Sequence, residues 1–116
     1  MQPISRQFTR PLVERQLEFE TPAHRIPVTL RIGLPVQDVE TASGLDWRCP
    51  VEFTGLDMAP LMPGVGIDAL QALTHALKAA RNVADALARD AGGSFSWLGG
   101  PGHGLADLTL WGAPSS

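Results

Sequence analysis

From Ile26 to Leu34 the chain reads IPVTLRIGL, with Ile26, Val28, Leu30, Ile32 and Leu34 alternating with Pro27, Thr29, Arg31 and Gly33. A helix cannot gather those five apolar side chains on one side, whereas a β-strand with one buried and one wet face requires this period of two. The segments on either side repeat it. In LVERQLEFE, Val13, Leu17 and Phe19 share one parity and Glu14, Gln16, Glu18 and Glu20 the other; in DWRCPVEFT, Trp47, Cys49, Val51 and Phe53 oppose Asp46, Arg48, Glu52 and Thr54. The connections TPAHR and PVQDVETASG are too short for a crossover helix, so the three strands are expected to form an antiparallel meander with one apolar face. Pro50 has no N–H to give to a ladder, which makes the third strand an edge or a bulged strand and puts the second in the middle.

Near Ile67 the period changes. After the irregular connection GLDMAPLMPG, a helix is expected from about Ile67 to Ala91. Its inner stripe would be Leu70, Leu73, Leu77, Ala80, Ala84 and Ala88, with Gln71, His75, Lys78, Asn82, Asp85 and Arg89 outward. Gly92-Gly93 supplies the stop. Such a helix is roughly 37 Å long against about 26 Å for an eight-residue strand, so it overhangs the sheet or breaks near Asn82. Its alanine-rich flank, Ala69, Ala72, Ala76, Ala79 and Ala86, permits close approach of another element and suits a homodimer contact. SFSWL reads as a fourth strand, GGPGHG as a surface loop, and LADLTLWG as a segment that packs or pairs as a fifth strand. The expected fold is α+β, βββαβ with a further β: a three-stranded antiparallel meander packed by one long helix, with one or two C-terminal strands. Residues 11–116 form one domain, and Met1–Arg10 a loosely held, flexible tail.

A chain of 116 residues with a formal charge of −3 can bury one core without staples. Its arginines are scattered and Lys78 is its single lysine, so it carries no basic footprint for nucleic acid. No stretch approaches the roughly 18 apolar residues of a membrane span, and the N-terminus lacks a secretory apolar region. A lone Cys49 excludes an internal disulfide and suits the cytoplasm.

The candidate chemistry is sparse. Gly64-Val65-Gly66-Ile67-Asp68-Ala69 spells G-x-G-x-x-A, but a dinucleotide fingerprint needs a core strand before it and an acidic residue at the end of a second strand after it. Here MAPLMP precedes it, and Asp85 and Asp90 fall on the helix. The structural reading is that Gly64 and Gly66 turn the chain into the helix while Asp68 favours its positive end. GGPGHG lacks the Lys-Ser/Thr ending of a phosphate loop. Cys49 has apolar neighbours of its own parity and reads as a buried thiol. The three histidines and one cysteine form no metal-ligand spacing, so no metal and no cofactor is expected. That leaves Asp68, Gln71, His75 and Lys78 around the helix entrance and its outer face, His103 in the glycine loop and Trp111 as binding candidates, with no catalytic residue assigned.

Trp47, Cys49-Pro50, Gly55-Leu56, Gly66-Ile67-Asp68 with Leu70-Gln71-Ala72-Leu73, and Trp97-Leu98-Gly99 together resemble the pattern of a family of small uncharacterised bacterial proteins. Ile67 stands where that pattern has valine, and PLMP before it departs from it. The resemblance implies a shared fold whose common residues gather at the helix entrance, and no known activity. The expected function is a non-enzymatic protein-interaction or accessory module of immunity-like type, with another protein or a second copy as partner. The alternative is a small-molecule or nucleotide-binding domain that uses the 64–71 turn and the 99–104 loop.

Overall fold

The structure, a computed structural model, describes residues 2–105. Eight strands and one helix follow in order: β1 (Pro11–Glu20), β2 (Arg25–Gly33), β3 (Val36–Thr41), β4 (Gly44–Cys49), β5 (Val51–Thr54), β6 (Gly64–Gly66), α1 (Ala69–Ala91), β7 (Ser94–Trp97) and β8 (Gly100–Pro101). The fold is α+β, as expected. One antiparallel sheet has the order β5-β2-β1-β7-β8 and contains the meander, with β2 between β1 and β5; a second has the order β3-β4-β6.

The two sheets are joined by one long bent hairpin. Ile32 faces Val51 in the large sheet, and Val36 faces Arg48 in the small one. The bend falls at Gly33–Pro35 on one strand and at Pro50 on the other, the usual place for strands that change sheets. There the Gly33 N–H donates to the Pro50 carbonyl at 2.9 Å. A Cβ on Gly33 would stand 2.5 Å from the Thr9 hydroxyl and 2.6 Å from the Pro50 ring, so only glycine fits the crossing. The expected third strand is therefore two strands in two sheets. The expected connection PVQDVETASG contains β3, whose register slips between Val36 and Val39 and which buries Val39 alone.

Residues 2–10, expected as a loosely held tail, have no regular secondary structure and lie against both sheets. Buried Arg48 donates to the Gln7 carbonyl at 2.6 Å and to Asp38 at 2.8 Å. Thr9 donates to the Leu34 carbonyl, Arg6 to that of Pro60, and Phe8 lies under Arg31 at 4.8 Å.

α1 is continuous through Asn82. It opens on Asp68, whose carboxylate accepts the Gln71 N–H at 2.7 Å, while Gln71 Oε1 accepts the Ile67 N–H at 2.8 Å. This is a close relative of the capping box. It closes on Gly92 at φ 62, with the Gly93 N–H on the Ala88 carbonyl.

The inward face differs from the leucine stripe. Ala72, Ala76, Ala80 and Ala84 are fully buried, Leu73 and Leu77 flank them half-buried, and Leu70 is 71% exposed. The reason is β6. Cβ atoms on Gly64 would overlap the backbone of Ala72 and Ala76, and on Gly66 would stand 2.7 Å from the Ala72 nitrogen. Strand and helix meet backbone to backbone, and only small side chains fit the line of contact. The alanine flank expected to receive a second copy is thus filled, at Ala72 and Ala76, by the chain's own glycine strand.

Phe19, Phe53 and Phe95 cluster beneath the far part of the helix, with Phe19 and Phe95 4.7 Å apart between ring centres. Val13, which shares parity with Leu17, is 52% exposed, so burial on β1 starts only at Leu17. SFSW forms β7 as expected. The segment from 106 on, including Trp111, lies outside the described residues; Leu105 just before it is buried.

Candidate functional site

The corner where β6 enters α1 is built from the inside out. The glycines let β6 sit against the helix, β6 pairs with β4 so that Trp47 faces Gly66 and Cys49 faces Gly64, and the Asp68–Gln71 cap fixes the turn. His75, one turn further along, donates from Nδ1 to the Val65 carbonyl at 2.6 Å. That bond places the neutral ring's second nitrogen, Nε2, outward as an acceptor. Asp68, Gln71 and His75, three of the residues singled out in the sequence, are brought together here, and each spends polar capacity on holding the corner. Lys78 lies exposed beyond them on the same helix.

Gly64 and Gly66 do not turn the chain, as the sequence reading had it: neither has a positive φ, and both lie in a strand. No phosphate cradle is formed by glycines whose free space is already occupied by the helix.

His103 lies elsewhere. Its Nδ1 accepts the Leu105 N–H at 3.0 Å, which puts the ring proton on Nε2, aimed at Asp85 Oδ1 at 2.7 Å. Both nitrogens are engaged, so the ring has no lone pair left for base catalysis. Arg15 donates to the His103 carbonyl at 3.1 Å and stacks on Trp97 at 3.8 Å, completing the pin that holds the glycine loop. Asp85 is 17 residues along α1 from Asp68, about 25 Å at 1.5 Å per residue. The 64–71 turn and the 99–104 loop are therefore not brought together.

Cys49 is fully buried, with its thiol on the Gly33 carbonyl at 3.2 Å. Burial pushes the thiol up from 9.0 to about 11, the opposite of an activated nucleophile. Among the described residues no three His, Cys, Asp or Glu side chains could share a metal ion. No helix among them is long and apolar enough to cross a membrane.

The feature that sequence reasoning missed is apolar. Ile67 is 75% exposed, Leu70 71% and Leu45 51%. Ile67 directly follows Gly66, whose partner Trp47 is two residues from Leu45 on β4, and the Ile67 N–H is tied to Gln71, next to Leu70 in the chain. Ile67 and Leu70 thus stand exposed on either side of the Asp68 cap, and Leu45 stands exposed on β4, the strand that pairs with β6. Two signals could have found Ile67 and Leu70: D-A-L-Q marks the helix start and leaves Ile67 outside it, and the four-residue spacing of Ala72, Ala76, Ala80 and Ala84 sets an inner face that leaves Leu70 at its margin.

No curated protein and no solved structure matches the chain. Residues 13–106 match the family described as Domain of unknown function (DUF6968), and the chain belongs to that family.

Proposed function

We propose that this chain is a non-enzymatic protein-interaction module of accessory or immunity-like type, acting in the cytoplasm, whose contact surface is the helix entrance. The observation that carries the reading is the exposure of Ile67 and Leu70 on either side of the Asp68 cap, with Leu45 exposed on the neighbouring strand, at a corner held by strand pairing, a capping box and a backbone-to-backbone helix contact. Exposed apolar groups rimmed by polar side chains are the usual mark of protein contact. Here Asp68, Gln71 and His75 supply that rim, and anchors on a rigid frame lose little freedom on binding.

The test compares wild type with an Ile67→Lys, Leu70→Lys double variant. Native mass spectra of the protein recovered from its own cells should show a stoichiometric partner on wild type and none on the variant, at equal Tm. A wild type that carries no partner, or a variant that keeps it, contradicts the reading. The alternative, a small-molecule site at residues 64–71, requires amide shifts confined to that turn on titration with a nucleotide panel.

A further inference from the structure

The β7–β8 hairpin turns through Leu98 and Gly99 alone, because Trp97 pairs with Gly100. Both turn residues have positive φ, 53° and 79°, the signature of a type I′ turn, for which Asn-Gly is the sequence that suits the backbone. Leucine instead takes a left-handed conformation that its Cβ disfavours. Its side chain is 87% exposed, more than any other large apolar side chain among the described residues. Neither backbone preference nor packing among the described residues accounts for a leucine there, and strain of this kind is a mark of a functional position.

The same chain carries a matching receptor. A mainly apolar cleft of about 240 Å³ opens between α1 and the large sheet, lined by Val13, Leu30, Ile32, Leu77 and Leu105 together with the charged Glu14 and Arg15. An apolar cavity of about 150 Å³ accommodates benzene, so a leucine side chain fits this one. Arg15 also stacks on Trp97, the residue before the turn, so the cleft begins one stacked pair away from the hairpin tip. A knob and a cleft on the same chain can be used twice across a two-fold axis, each protomer giving one and receiving the other.

We propose that a second copy of this chain is the occupant, with Leu98 of each protomer entering the cleft of the other. This contact is separate from the helix entrance and does not depend on the reading given for that surface.

Sedimentation velocity from micromolar to millimolar concentration tests it, with Leu98→Asn as the knob variant and Val13→Lys as the cleft variant. Wild type should pass from monomer to dimer, and both variants should associate at least about tenfold more weakly, a loss of about 1.4 kcal/mol or more. Asparagine suits the turn, so the Tm of L98N should be unchanged or raised by about 4–8 °C if roughly 1 kcal/mol of strain is relieved. A wild type that stays monomeric at millimolar concentration overturns the proposal. So does either variant that dimerises like wild type, or an L98N that loses Tm, which would show that Leu98 packs within its own fold. A monomeric wild type that still carries a partner lost on changing Ile67 and Leu70 would sink this contact and leave the helix-entrance reading standing.

Discussion

Two glycine-rich stretches look alike in the sequence and do opposite things. In Gly64-Val65-Gly66 the backbone is ordinary strand, and the missing side chains are missing because the helix backbone occupies their place. In the 99–104 loop, Gly99, Gly102 and Gly104 have φ of 79°, 86° and 71°, and around Gly99 and Gly102 the space is open. The first stretch needs glycine for volume and the second for conformation. Neither needs it for a phosphate, so a glycine count says nothing of a nucleotide until each residue's φ and surroundings are known.

The contrast is sharpest at Gly64. Gly64→Ala drives a methyl group into the Ala72 and Ala76 backbone, which cannot swing aside like a side chain, and should cost about 3 kcal/mol or more, at the upper end of overpacking effects. The urea midpoint reads this directly, with the m-value unchanged. A midpoint close to wild type would mean that β6 and α1 are not in backbone contact.

Facing Gly64 in the β4–β6 register is Cys49, and its thiol reports on the same tight region. Its folded value is raised from 9.0 to about 11 by burial. The unfolded thiol ionises from pH 9 and the folded one only near pH 11. The resulting stability is complete below pH 9 and is lost as the pH rises to about 11, on the order of 3 kcal/mol for a two-unit difference. The stability gap between wild type and Cys49→Ala should narrow by that amount over this window, and a thiol reagent at neutral pH should label Cys49 only on unfolding. Fast labelling of the native protein would contradict the buried assignment.

The loop should respond more weakly. His103→Ala leaves the Leu105 N–H without its acceptor and should cost about 1–2 kcal/mol. Most of that comes from the buried side of the ring, since Asp85 is exposed and its pairing is worth little. Gly102→Ala should be the mildest, about 1 kcal/mol for a left-handed alanine in open space. A Gly102→Ala cost equal to that of Gly64→Ala would erase the distinction between the two stretches.

Much of the large sheet was legible because burial enforces alternation: Val28, Leu30 and Ile32 are all buried, as their parity requires. The change of sheet at Pro50 was not, since Cys49, Val51 and Phe53 keep one parity straight through the bend and point into the same core. β3 stayed hidden because a polar, slipped edge strand carries no period of two. The helix face was misread because hydrophobicity favours leucine, whereas the closest approach to a glycine strand favours alanine. At the site, the D-A-L-Q cap was written locally and could be read. The partner of His103 could not, because Asp85 lies 18 residues away and only the fold brings them together.

At the helix entrance, a rigid surface is proposed to meet a protein. A photo-crosslinking residue at position 67, compared in cells with the same residue at position 78, tests this most directly. One discrete adduct is expected from position 67, lost with Leu70→Lys and weak or absent from position 78; equal labelling from the two positions, or none from either, would contradict a protein contact at the helix entrance.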